Sequence, residues 1–175
     1  MIDQKIALIG FMGCGKTSIG KVLASRLSAP FVDLDEEIER IKGRTVKQIF
    51  ESEGEAVFRT IETETLSRLA QRKGDLILSC GGGIVLSAAN SELLSREYLA
   101  VWIHVPAEEL IKRLSRERDG RPLLNDVNFE EKVKKLLEIR LPLYKKASAV
   151  TYRWKDGEST TDSATAIMNA LAQAR

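Results

Sequence analysis

The chain has too few cysteines for a disulfide framework: Cys14 lies between Gly13 and Gly15, Cys80 stands before Gly81, and there are no others. Such usage suits a reducing cytoplasm. The one histidine, His104, falls inside an apolar run and reads as a core residue rather than a base. No apolar run approaches the roughly 18 residues of a membrane-spanning helix, so no membrane partner is expected. The chain opens Met1-Ile2-Asp3-Gln4 and then turns apolar at once, leaving no room for a signal or transit peptide. Charge is not gathered in blocks either. The 27 basic and 25 acidic residues leave a net +2, which is no electrostatic footprint for nucleic acid. Internal repeats, low-complexity tracts and long linkers are missing. With 43% hydrophobic and 30% charged residues, a single soluble domain over residues 1–175 is expected.

What is present is organised around Gly10-Phe11-Met12-Gly13-Cys14-Gly15-Lys16-Thr17, which fits G-x-x-x-x-G-K-[ST]. Before it runs the short apolar strand Lys5-Ile6-Ala7-Leu8-Ile9; after it Ile19, Val22, Leu23 and Leu27 recur at helical spacing. Strand, glycine loop and helix together make a phosphate cradle. Backbone N–H groups and the helix N-terminus converge on an anion, where peptide dipoles favour negative charge. Gly13, Cys14, Gly15, Lys16, Thr17 and Ser18 are the expected nucleotide contacts, Lys16 reaching the β- and γ-phosphates and the Thr17 hydroxyl binding Mg²⁺. Cys14 reads as a small loop filler, with an oxidation-sensitive thiol at a helix N-terminus as the alternative.

The first helix should end near Ser28-Ala29-Pro30. A second strand, Phe31-Val32-Asp33-Leu34-Asp35, then ends in two acids at i and i+2, placed on one side of an extended segment. Ligands of open parallel α/β sheets gather outside the carboxyl ends of strands. The plainer reading is helix capping, which suits Asp35 but places Asp33 too early. A third strand ends in Cys80 and glycines, a fourth, Leu99 to Val105, in Pro106, and a fifth, Ala149 to Trp154, in lysine, so only the second supplies carboxylates. Asp33 is therefore assigned to the metal and Asp35 to the acceptor.

Downstream, a helix through Phe58, Ile61, Thr65 and Leu69 faces inward, with Arg59 and Glu62 on an adjoining stripe. As a bare i, i+3 ion pair these two contribute about 0.2–0.5 kcal/mol; the alternative is an anion-binding arginine. Gly81-Gly82-Gly83 ends the third strand, where the entropic cost of three glycines implies close backbone approach to a ligand, a tight turn being the bland option. A helix from Glu108 through Leu114 leads into the polar stretch 115–127, containing Arg121-Pro122-Leu123-Leu124. This reads as a mobile lid with an apolar anchor. In the next helix, Phe129, Val133, Leu136, Leu137 and Leu141 point inward, and Arg140 shares that apolar face, where a buried arginine needs an anionic partner. An amphipathic helix from Thr161 closes the chain.

Taken in order, Gly10 to Thr17, Asp33-Leu34-Asp35, Gly54-Glu55 with Phe58-Arg59 and Glu62, Gly81-Gly82-Gly83, Arg121-Pro122-Leu123-Leu124, and Arg140 with Pro142-Leu143-Tyr144 resemble the shikimate kinase family, over nearly the whole chain. The resemblance implies a three-layer α/β/α P-loop fold with a five-stranded parallel sheet, a substrate-binding helical segment at about 34–62 and a lid at about 115–127. It implies ATP-dependent phosphorylation of the 3-hydroxyl of shikimate, in aromatic amino-acid biosynthesis, by a cytoplasmic monomer using Mg²⁺. By analogy Lys16, Asp35 and Arg121 are catalytic. Asp35, Arg59, Gly81, Gly82, Gly83 and Arg140 bind the acceptor, Glu62 holds Arg59, Arg113 packs on adenine, and Thr17 and Asp33 serve the metal. One departure stands out: Lys155-Asp156-Gly157-Glu158-Ser159 replaces an arginine and proline that relatives often carry beside adenine. Another small-molecule kinase, for gluconate or a nucleoside monophosphate, would share loop and lid; Phe58-Arg59 with Glu62, the triple glycine and Arg140 speak against it. A GTP switch would need Asn-Lys-x-Asp and Asp-x-x-Gly, and neither occurs.

Overall fold

In the computed structural model, residues 4–116 and 128–173 are described. The strands β1 (Lys5–Ile9), β2 (Phe31–Asp33), β3 (Leu76–Ser79), β4 (Leu99–His104) and β5 (Val150–Arg153) form one parallel sheet in the order β2-β3-β1-β4-β5. Helices α1 (Lys16–Leu27), α2 (Leu34–Lys42), α3 (Val46–Ala70), α4 (Ala88–Glu97), α5 (Ala107–Arg116) and α6 (Phe129–Ala147) lie in the crossovers, as parallel pairing demands, and α7 (Thr160–Gln173) follows the last strand. The sheet is covered on both faces, so β1 and β3 read as continuous apolar runs: Ile6 to Ile9 and Leu76 to Leu78 are all buried. Each such aliphatic side chain contributes about 1.5–3 kcal/mol of transfer free energy.

Several expected boundaries move. Strand β2 stops at Asp33, because the Asp33 carboxylate accepts the Asp35 N–H at 3.1 Å and caps α2. Asp33, not Asp35, is thus the capping residue, and the two acids do not share an extended segment: Asp35 sits in the first turn of a helix. Leu27 lies 38% exposed rather than packed. Helix α4, announced only by its Ser87 cap, has no counterpart in the sequence reading. Ser115 and Arg116 continue α5 instead of opening a loop. The remainder of the expected lid, with Arg121, lies outside the described residues.

Two local devices aim α3 at the sheet's carboxyl edge. Thr45 and Gln48 form a reciprocal capping box at its start. Gly54 then breaks the helix with φ 83° and ψ 173°, a conformation open to glycine, and restarts it with Glu55 and Arg59 one turn apart.

Candidate active site

The central strand β1 delivers the phosphate loop at the sheet's carboxyl edge. Gly13 and Gly15 take φ 77° and 95°, turning the chain so that α1 starts at Lys16 without a side-chain cap. Its first N–H groups therefore face the loop's concavity, with no acid in the first turn to compete for them. Lys16 is buried and folds back over the loop, its Nζ donating to the Gly10 and Phe11 carbonyls at 2.9 Å each. Cys14 is 1% exposed and fills the loop, with Sγ 3.7 Å from that ammonium. Ser18 is exposed on the first turn of α1.

Beside the loop, Thr17 Oγ1 donates to Asp33 Oδ2 at 2.8 Å and lies 3.3 Å from the Ser79 hydroxyl. Asp33 thus has two roles, capping α2 with one oxygen and meeting Thr17 with the other. The cluster offers oxygen donors only, as a hard divalent cation prefers. Among the described residues no group of three or more His, Cys, Asp or Glu side chains is placed to hold a metal unaided.

The triple glycine forms a shelf on which the other candidates converge. A Cβ on Gly81 would meet Asp35 Oδ1 at 3.1 Å and Glu62 Oε1 at 3.2 Å, and one on Gly83 would lie 2.3 Å from Arg59 Nη2. Space, not dihedral freedom, demands glycine here. Asp35 Oδ1 is buried without a hydrogen-bond partner. Burial, and next the Asp33 carboxylate, push Asp35 up to about 6 against the pull of Lys16 and Arg59. Glu62 is fully buried, and burial raises it too, opposed by Arg59.

Arg59 Nη1 donates to Glu62 Oε2 at 2.9 Å, while its Nε and Nη2 reach Glu55 Oε1 at 3.3 and 3.1 Å. Arg140 lies 5.6 Å from the Phe11 ring centroid, Nη1 3.5 Å from the Gly82 carbonyl, with its Nε buried and unpaired. An unpaired donor and an unpaired acceptor facing one shelf describe a site for a polar, acidic small molecule. The same Gly82 carbonyl accepts from the Tyr144 hydroxyl.

On the opposite side of the loop, Arg113 stacks over Trp154 at 4.7 Å, pairs with Glu109 at 2.8 Å and donates to the Gly13 carbonyl at 3.3 Å. His104 is half-buried at the end of β4, edge-on to Trp102 at 4.7 Å, and burial followed by Arg153 lowers it. Its backbone carbonyl accepts the Trp154 N–H at 2.9 Å.

The structure therefore gathers Lys16, Thr17, Asp33, Asp35, Arg59, Gly81, Gly82, Gly83 and Arg140 around one cleft, with Arg113 at its flank. Sequence reasoning gave no role to Tyr144, Asn90, Ser79, Glu55 or Trp154. Glu55 and Tyr144 were reachable, standing four residues before Arg59 and four after Arg140 on the same helix faces. Asn90, whose Nδ2 lies 3.5 Å from Glu62 Oε2, gives no such signal.

A glycine loop of the G-x-x-x-x-G-K-[ST] pattern, a buried carboxylate and two arginines at the carboxyl edge of a parallel sheet are the parts of a P-loop phosphotransferase of the small-kinase type. The family profile described as shikimate kinase matches residues 12–172. A shikimate kinase of Acinetobacter baumannii (strain AYE) is 43% identical over 152 residues, covering 87% of this chain and 83% of its own. One from Cereibacter sphaeroides is 37% identical over 172 residues, 98% of this chain and 84% of its own. The solved structure "Shikimate kinase from Acinetobacter baumannii in complex with shikimate" superposes with TM-score 0.89 at 39% identity, over 98% of this chain and 94% of the other. A gluconokinase structure from Sinorhizobium meliloti is similar at 17% identity and TM-score 0.56, a likeness of fold alone. The chain belongs to the shikimate kinase family.

Proposed function

We propose that this chain transfers the γ-phosphoryl group of ATP to the 3-hydroxyl of shikimate, giving shikimate 3-phosphate and ADP, as a cytoplasmic monomer. The observation that carries the reading is the convergence on the Gly81-Gly82-Gly83 shelf of the unpartnered Asp35 Oδ1 with Arg59 and Arg140, beside a phosphate loop. A hydroxylated acid of this size offers the complementary groups. Its carboxylate takes the two guanidinium groups, and its hydroxyl donates to Asp35.

The order of events follows from charge. The nucleotide's phosphates enter the concavity of Gly13 to Ser18, and Lys16 exchanges the Gly10 and Phe11 carbonyls for phosphate oxygens. Thr17 and Asp33 are the residues that would hold Mg²⁺, which when bound neutralises phosphate charge. Asp35 orients the acceptor oxygen toward the γ-phosphorus and accepts its proton as the bond forms; burial has already raised its proton affinity. Lys16 and, by the family analogy, Arg121 counter the charge on the equatorial oxygens. Arg113 and Trp154 flank the nucleotide base. The monomer reading is supported by the scatter of exposed large apolar side chains among the described residues: Leu27, Ile41, Val57, Leu86 and Ile139 stand on five different elements. Among the described residues no helix is long and apolar enough to cross a membrane.

The test is the product. Incubation with MgATP and shikimate should yield one phosphomonoester whose phosphorus couples to the proton on carbon 3. Coupling to another ring proton would reject the assigned orientation.

A further inference from the structure

The Arg59 guanidinium is already occupied by carboxylates, and the two occupants differ in kind. Glu62 is wholly buried beneath it and is approached by Asn90 Nδ2 as well, so it cannot leave without stranding a charge in the interior. Glu55 has a side chain 61% exposed at the mouth of the cleft and takes the other edge, a single oxygen straddling Nε at 3.3 Å and Nη2 at 3.1 Å. No atom lies within 4 Å of where a Gly54 Cβ would be, so that glycine serves backbone direction and not packing, restarting the helix with Glu55 one turn before Arg59.

We infer that Glu55 is an internal stand-in for the acceptor's carboxylate: it holds Arg59 aimed and charge-compensated in the free enzyme and yields that edge when the acidic acceptor binds. This rests on the proposed role of Arg59. Because the ligand must displace a competing carboxylate, apparent affinity falls by the fraction of molecules in which Arg59 is open. An exposed pair of this kind sets the factor at about two- to fivefold.

The experiment compares Glu55→Gln with the parent enzyme, measuring KM for shikimate, KM for ATP, kcat, and competitive inhibition by benzoate, a bare monocarboxylate. The expected result is a two- to fivefold fall in shikimate KM, a parallel fall in the benzoate inhibition constant, and changes below twofold in kcat and ATP KM. Glu62→Gln, which removes the buried support, should instead raise shikimate KM. A raised or unchanged shikimate KM in Glu55→Gln, with the expected loss of shikimate affinity in Arg59→Ala, overturns the stand-in role alone. An unchanged shikimate KM in Arg59→Ala overturns the reading of Arg59 as well.

Discussion

Replacing Asp35 by asparagine should make the free enzyme more stable while abolishing its chemistry. The carboxyl's affinity for its proton rises from an ordinary 3.8 to about 6 in the folded chain, so folding disfavours the ionised form. At 1.36 kcal/mol per pKa unit, two units correspond to a cost of about 3 kcal/mol at neutral pH, and partial solvent access trims this to about 1–3 kcal/mol. The sign follows from linkage. Because the folded value lies above the unfolded one, stability linked to Asp35 is fully present below pH 3.8 and is lost as pH rises through about 6. Asparagine has nearly the same shape and never ionises. Urea unfolding of both proteins at pH 4, 5, 6 and 7.5, without ligands, should show little difference at pH 4 and a growing advantage for Asp35→Asn that levels off above pH 6. An asparagine variant that is less stable at pH 7.5, or a difference that ignores pH, would refute the claim that this carboxylate is held at an energetic cost. Turnover should fall at least 100-fold at every pH, about 3 kcal/mol of barrier.

The other expectations concern neighbours of that carboxylate. In the parent enzyme kcat/KM for shikimate should decline as pH drops through about 6, where Asp35 takes up a proton, a limb that initial rates between pH 5 and 8 would reveal. Lys16→Ala should lower kcat by 100-fold or more, since no second ammonium stands in the loop to replace it; near-normal turnover would remove Lys16 from its role. Arg140→Ala should raise KM for shikimate while leaving ATP affinity largely intact, and equal losses for both ligands would count against it. Arg113→Ala strips the guanidinium from the Trp154 face, so KM for ATP should rise about five- to tenfold and shikimate KM should hold, as steady-state kinetics can establish.

The parts of this site legible in the sequence are those whose chemistry is local. Gly10 to Thr17 announce themselves because a phosphate loop is one continuous stretch between a strand and a helix. Arg140 was flagged because a charge on an apolar stripe is an anomaly within one helix. What sequence concealed depends on partners brought together by folding. In sequence Asp33 stands too early to cap a helix if the strand runs on to Asp35; the Asp35 N–H, donating to the Asp33 carboxylate, ends the strand two residues sooner. Helix α4 went unread because its apolar signal is thin and its start rests on the Ser87 hydroxyl. The Tyr144 hydroxyl meets Gly82 across 62 residues of chain, a pairing no periodicity encodes. The triple glycine implies close approach of a ligand; what the structure brings against it is the chain's own Arg59 guanidinium and two carboxylates, which only folding assembles.

The acceptor this cleft phosphorylates is shikimate in particular. The most direct test is ADP formation from MgATP by the purified protein with shikimate, with gluconate, with AMP or CMP, and with no acceptor. Rapid turnover is expected with shikimate alone. Comparable turnover with gluconate or a nucleotide, or ADP release indifferent to any acceptor, would contradict it.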